Sequence, residues 1–182
     1  MKNENQYFDG LVLISPDSFS DSRGEFYESY NKKVFFDLIG DIKFVQDNIS
    51  KSKKNTIRGL HFQNPPFTQS KLVTCLSGSI IDIVVDLRKK SSTFGCCKKT
   101  FLNEKNKKQL FVPKGFAHGF SVTSEHAIVS YKVDNYYNKK FENGILWNDK
   151  LLNIDWEIDK SKLIVSKKDN KLLKFDKFIN PF

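Results

Sequence analysis

The sequence predicts a single, mainly β domain that is built as a sandwich or a barrel. Short apolar segments recur through the chain between Gly, Pro, Ser and Asn residues. Many short strands at this spacing favour a sandwich or barrel over βαβ units. The seventeen Phe and six Tyr also favour strands. A chain of 182 residues suits one domain. We expect it to span 1–182, with a barrel core at about 8–157 and an extension at about 158–182.

The N-terminal part of the chain combines short strands with a helix. Residues 11–14 form an apolar run that predicts a strand, and a turn signal at 21–24 precedes a possible strand at 25–27. A helix is expected at 31–39 because its apolar side chains share one face. Asn31 stands at its N-cap position, and Gly40 follows its last turn.

The remaining strands follow from residue 43 onward. They are predicted at 71–76, 79–88, 109–113, 119–123 and 127–133. In the second of these, Ile81, Ile83, Val85 and Leu87 alternate with Asp82, Asp86 and Arg88. This alternation predicts one face toward solvent. The Lys-rich residues 159–175 are expected to form a loop and a helix outside the barrel.

The charge balance allows several kinds of partner. A net charge of +9 is compatible with nucleic acid, an acidic membrane or a phosphorylated small molecule. The lysines are scattered, form no helical stripe and do not interleave with aromatic residues, so most are expected to be solvated. No run approaches the roughly 18 apolar residues of a membrane span. Neither nucleic acid nor a membrane is therefore an expected partner.

The cysteines and the N-terminus indicate the compartment. Three cysteines, of which Cys96 and Cys97 are adjacent, provide no disulfide framework and no zinc motif. The polar start of the chain lacks the apolar segment of a signal peptide. Both observations predict a protein of the reducing cytoplasm.

Three histidines restrict the search for a catalytic site. His61 stands in Arg58-Gly59-Leu60-His61-Phe62-Gln63, and His118 lies at a glycine-flanked corner between two strands; either could also be purely structural. His126 reads as a surface residue in a turn. Without a His-x-His pair a metal site lacks nitrogen ligands, so no metal is expected. Nucleophilic catalysis is also poorly supported, because Cys75 lies within an apolar strand and no nucleophile elbow is present. Histidine as a general base remains.

A series of motifs extends over nearly the whole chain. In order, they are Asp21-x-Arg23-Gly24-x-Phe26-x-Glu28-x-Tyr30, Phe44-Val45-Gln46-Asp47-Asn48, Arg58-Gly59-Leu60-His61-Phe62-Gln63, Gln69-Ser70-Lys71-Leu72-Val73, Val85-Asp86-Leu87-Arg88, Ser92-Thr93-Phe94-Gly95, Val112-Pro113-x-Gly115-Phe116-Ala117-His118-Gly119-Phe120, Tyr131-Lys132, Asn135-Tyr136-Tyr137, Glu142-x-Gly144-Ile145-x-Trp147-Asn148-Asp149 and Ile154-Asp155-Trp156. Each motif is weak alone, but together and in this order they are highly specific. From about residue 8 to about residue 175 the chain resembles the dTDP-4-dehydrorhamnose 3,5-epimerase family.

The resemblance implies a fold and a reaction. It implies a cupin-type jelly-roll barrel with a few short peripheral helices, which forms a homodimer and uses neither a metal nor another cofactor. The implied enzyme is an isomerase that converts dTDP-4-dehydro-6-deoxy-D-glucose to dTDP-4-dehydro-L-rhamnose by epimerisation at C3 and C5. This step belongs to dTDP-rhamnose biosynthesis, and so to the making of cell-surface polysaccharide.

The resemblance also implies which residues act. His61 would remove the protons that the C4 ketone acidifies, with Asp169 as its carboxylate partner. Tyr131 would return a proton on the opposite face, and Lys71 would stabilise the enolate. Tyr137 would stack on thymine. The other positions that would contact substrate are Arg23, Glu28, Gln46, Asp47, Asn48, Arg58, His118, Glu142 and Lys168.

Four alternatives remain open from the sequence. Related epimerases invert only C3 or only C5, and others act on different nucleotide-linked 4-keto sugars, such as a GDP-heptose. A sugar-nucleotide-binding barrel without catalysis and a metal-dependent cupin enzyme are the remaining two. The presence of His61, Lys71 and Tyr131 together favours the epimerase, because a binding module would not need all three.

Overall fold

The computed structural model describes residues 1–6 and 8–182. In these residues the strands are β1 (Lys2–Gln6), β2 (Val12–Ser15), β3 (Ser18–Asp21), β4 (Gly24–Tyr27), β5 (Gln46–Lys53), β6 (Thr56–Gln63), β7 (Lys71–Ser77), β8 (Ser79–Asp86), β9 (Cys97–Asn103), β10 (Gln109–Val112), β11 (Phe116–Val122), β12 (His126–Val133), β13 (Glu142–Gly144) and β14 (Ile164–Val165). Helix α1 (Lys32–Ile39) and two short 3₁₀ turns, Lys160–Lys162 and Asp169–Lys171, are the described helical elements. The predicted mainly β class is confirmed.

The strands form two antiparallel layers and a separate hairpin. Within the described residues, the first sheet has the order β1-β2-β10-β7-β12-β5 and the second the order β13-β6-β11-β8-β9. β14 pairs with β6 in parallel, and β3 pairs with β4 as the hairpin. The two sheets face each other across a common core, which gives the jelly-roll barrel implied by the resemblance.

The interior between the sheets is apolar along most of its length. Val73 of β7 and Val129 of β12 meet Val84 of β8 and Phe120 of β11 there. Successive side chains of a strand point to opposite faces. The residues that share the inward face with this core therefore point into the barrel as well. This rule places Lys71, Asp82, His118 and Tyr131 inside.

The outer faces of the two sheets are covered by different segments. The C-terminal residues pack over the second sheet, where Trp156 and Phe178 belong to one hydrophobic cluster with Ile81 and Ile83. Helix α1 covers the first sheet with Phe35. The predicted cap of this helix is confirmed, because Oδ1 of Asn31 accepts hydrogen bonds from the backbone N–H groups of Lys33 and Val34.

The sequence interpretation was wrong about β8 and β11. The face of β8 that was predicted to be exposed to solvent is buried, since Asp82 and Asp86 are both 0% exposed. Both faces of this strand are covered, one by the opposite sheet and one by the C-terminal segment, so alternation does not mark a solvent side. His118 lies within β11 rather than at a corner, because this strand begins at Phe116 instead of Gly119.

The C-terminal segment forms 3₁₀ turns and a short strand where a loop and helix were expected. Ile164 pairs with Thr56, so the segment runs along the edge of β6. His126 is exposed, as predicted, although it begins β12 instead of lying in a turn. In the described part of the chain, no helix is long and apolar enough to cross a membrane.

Candidate active site

A cavity of about 310 Å³ opens between the two sheets at one end of the barrel. Strands from both layers line it, because their inward faces carry polar side chains where the apolar core ends. The lining residues are Gln46, Asn48, Ser50, Arg58, His61, Phe62, Gln63, Gln69, Lys71, His118, Phe120, Tyr131, Tyr137, Glu142 and Lys168. Most of the residues selected from the sequence are therefore brought together.

His61 and Asp169 form a close pair on the second sheet. Nε2 of His61 lies 2.8 Å from Oδ1 of Asp169, and the backbone N–H of Gly59 donates to Oδ2 of the same carboxylate. Burial alone would raise the pKa of Asp169, but the His61 ring, Gly59 and Ser166 hold it below its usual value. The carboxylate is thus ionised near neutral pH and fixes one tautomer of the imidazole.

A close approach of two glycines sets the strands beneath this pair. Gly59 of β6 has φ +132°, and a Cβ there would lie 2.5 Å from Cα of Gly119 on β11. The register of β6 and β11 shifts between His118 and Phe120, and His118 stands directly opposite His61. The glycines therefore allow two histidines to sit side by side on one inward face.

Lys71 enters the cavity from the first sheet. Its ammonium donates a hydrogen bond to the backbone carbonyl of His61 over 3.4 Å. Burial lowers the pKa of Lys71 to about 8, against the opposing influence of Asp82 and Glu142. A buried ammonium beside the base can stabilise negative charge that develops on a substrate oxygen.

Tyr131 also belongs to the first sheet, on β12. It lines the cavity, and its ring packs against the core between the sheets. Burial raises the pKa of the phenol above its usual value, so Tyr131 is protonated near neutral pH. The phenol can therefore donate a proton from the layer opposite His61.

A polar network closes one side of the cavity. Nζ of Lys168 lies 2.7 Å from Oε1 of Glu142, and the hydroxyl of Tyr137 donates to Oε2 of this carboxylate over 3.1 Å. Burial works to raise the pKa of Glu142, but the Lys168 ammonium beside it keeps the pKa below its ordinary value. Gln46 accepts from the backbone N–H of Tyr137 and donates to Asn48.

Arg58 and His118 each have a protein partner that the sequence did not reveal. Nε of Arg58 donates to the hydroxyl of Ser52 over 2.8 Å, which orients the guanidinium. Nε2 of His118 lies 2.8 Å from Oδ2 of Asp82. Sequence reasoning missed Asp82 because the face of its strand that carries Asp82 was predicted to be exposed to solvent. Gln63 was not selected either, although it holds the loop of Tyr137 through Tyr136 and Asn138.

Four sequence-selected residues do not line the cavity, and one of them is Asp169, which lies behind His61. Arg23 is 89% exposed on the β3–β4 hairpin and pairs with Asp21. Glu28 accepts from the side chain of Asn31, and Asp47 pairs with Lys132. In the described residues, no cluster of three or more His, Cys, Asp or Glu side chains could hold a metal ion.

The comparisons with known proteins agree with the geometry of the site. The family model described as dTDP-4-dehydrorhamnose 3,5-epimerase matches residues 5–177. The Escherichia coli enzyme of that name is 46% identical over 170 residues, which cover 93% of this chain and 91% of the relative.

Solved structures are similar over almost the whole length. The dTDP-4-dehydrorhamnose 3,5-epimerase of Elizabethkingia anophelis is 48% identical with a TM-score of 0.92, and the match covers 97% of each chain. A dTDP-6-deoxy-D-glucose-3,5-epimerase of Legionella pneumophila, in complex with dTDP-4-keto-L-rhamnose, is 40% identical with a TM-score of 0.93. That match covers 98% of this chain and 94% of the other.

Proposed function

Since the chain belongs to the dTDP-4-dehydrorhamnose 3,5-epimerase family, we propose that His61 and Tyr131 carry out the two proton transfers of this reaction in the cavity between the sheets. The chain is accordingly an isomerase that converts dTDP-4-dehydro-6-deoxy-D-glucose to dTDP-4-dehydro-L-rhamnose. The observation that carries the assignment of roles is the His61–Asp169 pair in a cavity that Lys71 and Tyr131 also line.

His61 removes the protons at C3 and C5. The C4 ketone of the substrate makes both hydrogens acidic, so an imidazole is a strong enough base. Nε2 carries the hydrogen that is donated to Asp169, which leaves Nδ1 as the basic nitrogen. When Nδ1 takes a proton, the ionised Asp169 stabilises the resulting imidazolium.

Tyr131 returns a proton on the other face of the sugar. The phenol comes from β12 of the first sheet, whereas His61 comes from β6 of the second sheet. A ring held between the two layers presents one face to each residue. Removal on one side and return on the other inverts the carbon.

Lys71 stabilises the enolate that forms between these two steps. Its ammonium is buried and hydrogen-bonded to the backbone of His61, so it lies beside the base. Negative charge on the C4 oxygen is stabilised more strongly there than in water.

The nucleotide binds along the polar side of the cavity. Arg58 is oriented by Ser52 and presents a guanidinium fork that suits pyrophosphate. Tyr137 is half exposed at the rim, where its ring can stack on thymine. Glu142, Lys168, Gln46 and Asn48 complete this polar wall.

The enzyme acts as a homodimer in which each copy completes the other's site. Arg23 and Glu28 match substrate-contacting positions of the family, yet neither lines the cavity of its own chain. Their segment includes the β3–β4 hairpin, whose Phe19 and Phe26 are 66% and 69% exposed. Exposed aromatics of this kind mark a protein contact. A second copy that covers the hairpin would receive Arg23 at its own cavity.

The proposed cellular compartment rests on the state of the cysteines. Cys75, Cys96 and Cys97 are free thiols, as suits a reducing compartment. We therefore assign the enzyme to the cytoplasm, where it supplies dTDP-rhamnose precursors for cell-surface polysaccharide.

The deciding experiment is NMR of dTDP-4-keto-6-deoxyglucose with the purified protein in D₂O. We expect deuterium at both C3 and C5 and the appearance of the inverted sugar. Exchange and inversion at one carbon alone would make the chain a single-site epimerase. Binding without exchange would reduce it to a sugar-nucleotide-binding protein.

A further inference from the structure

Asp82 is a buried carboxylate beneath the cavity that the proposed mechanism does not use. It lies on β8 between Ile80 and Val84, whose side chains face the interior of the barrel. Asp82 is 0% exposed, and within the described residues its Oδ1 has no hydrogen-bond partner. A buried carboxyl oxygen without a hydrogen-bond partner is costly, so the placement of Asp82 calls for an explanation.

The first contact of Asp82 is with His118. Oδ2 lies 2.8 Å from Nε2 of a ring that is itself buried. Burial lowers the pKa of His118 below its usual value, despite the nearby carboxylate. The ring is therefore neutral near pH 7, and its hydrogen lies on Nε2, where it can be donated to Asp82. Nδ1 is left as an acceptor that can receive a hydrogen bond from a sugar hydroxyl.

The second neighbour of Asp82 is Lys71. Strand alternation points Lys71 of β7 and Asp82 of β8 into the same interior, because Val73, Ile80 and Val84 belong to one core cluster. Asp82 favours the ammonium form of Lys71. Glu142 acts in the same direction. The other titratable or charged groups that line this cavity are Arg58, His61, His118, Tyr131, Tyr137 and Lys168. Without Asp82, burial would favour the neutral amine, which cannot stabilise an enolate.

We propose that Asp82 is a positioning residue of the active site, which holds His118 in the tautomer that accepts through Nδ1 and supports the cationic side chain of Lys71. The inference rests on the proposed function, because it assigns Lys71 to the enolate. Asp82 touches neither the substrate nor the reacting atoms. It acts through the two side chains above it.

The test is the pH dependence of kcat/KM in the variant Asp82→Asn beside the wild-type enzyme. The alkaline limb of the wild-type profile should reflect Lys71, whose pKa is about 8. Loss of the carboxylate should move this limb to lower pH by about one pH unit or more. The ratio of kcat/KM at about pH 8 to that at about pH 6.5 should then fall about fourfold or more below the wild-type ratio.

Two further variants separate this role from a structural one. Asp86→Asn makes the same change at an equally buried aspartate of β8, which is held by Arg88, Ser91 and Thr93 and does not line the cavity. It should lower Tm without moving the alkaline limb. Asp82→Glu retains the charge and should leave the limb near its wild-type position, even if kcat falls. A folded Asp82→Asn enzyme with a profile of wild-type shape would overturn the proposal.

A measurement on the wild-type protein covers the case in which Asp82→Asn does not fold. The chain contains three histidines, so ¹⁵N-histidine labelling gives few ring signals to assign. We expect His118 to be neutral near pH 7 with its hydrogen on Nε2. A hydrogen on Nδ1 would refute the inference. An inactive wild-type protein would instead refute the proposed function, so the two failures are distinguishable.

Discussion

His61 and Asp169 lie 108 residues apart in the chain, yet Nε2 of one is 2.8 Å from Oδ1 of the other. The contact forms because the C-terminal segment runs along β6, where Ile164 pairs with Thr56. The turn Asp169–Lys171 then places the carboxylate of Asp169 against the ring of His61. A base on a strand and its partner on a peripheral turn can be altered separately.

His61→Asn should abolish hydrogen exchange at both C3 and C5. The amide can still hydrogen-bond to Asp169, but it cannot act as a base near neutral pH, so the rate should fall at least about 10²-fold. NMR in D₂O measures the exchange, and a thermal melt establishes folding. His126→Asn, at an exposed histidine of β12, is the matched control and should have wild-type activity. Normal exchange in a folded His61→Asn variant would remove this residue from the mechanism.

Asp169→Asn should lower kcat by about 10²- to 10⁴-fold, because an amide neither fixes the tautomer nor stabilises the imidazolium. KM should change little, since Asp169 lies behind His61 and does not line the cavity. Asp159→Asn, at an exposed carboxylate of the same C-terminal segment, should leave kcat unchanged. A rise in KM at constant kcat would contradict a catalytic pairing of His61 with Asp169.

Tyr131→Phe should separate deprotonation from inversion. The base and the Lys71 ammonium remain, so the enolate still forms, but phenylalanine has no O–H to donate. Reprotonation then comes from His61 on the face that the proton left. Deuterium should enter with retention, while epimer formation falls by about 10²-fold or more. Tyr30→Phe, on the outer side of the first sheet, is the control. Equal losses of exchange and inversion would rule out Tyr131 as the acid.

Exhaustive treatment with EDTA should leave the activity intact. His61 and His118 each direct a ring nitrogen at a carboxylate, so these nitrogens are engaged without a metal. Activity is measured before and after chelation, together with the metal content of the protein. Loss of activity that a divalent ion restores would support the metal-dependent alternative.

Mixing two inactive variants tests the shared site. In the proposed homodimer, Arg23→Ala removes the arginine from both sites, and His61→Asn removes the base from both. A mixed dimer contains one intact site if Arg23 crosses to the partner. Co-refolding equal amounts should therefore restore about a quarter of the wild-type sites, measured at low substrate concentration. Absence of recovery, in a sample shown to contain mixed dimers, would mean that Arg23 serves its own chain or none.

Much of the barrel could be predicted from the sequence because strand signals are local. Alternating apolar residues and glycine turns marked β7, β8, β10 and β12, and Asn31 with Gly40 marked the helix. Each of these features depends on residues that are close in sequence, so the spacing of residue types is enough to predict it. The residues of the candidate site could also be predicted from the sequence, since His61, Lys71 and Tyr131 lie in motifs that occur in a fixed order.

The tertiary structure decided which of those faces is buried and which distant groups meet. Asp82 alternates with isoleucines like a solvated residue, yet it lies beneath the cavity because both sides of β8 are covered. Asp169 reaches His61 only through the course of the C-terminal segment, and Arg23 stays outside its own cavity. Burial and long-range contact depend on how the layers pack. A strand's own sequence specifies its alternation, but not what covers each face.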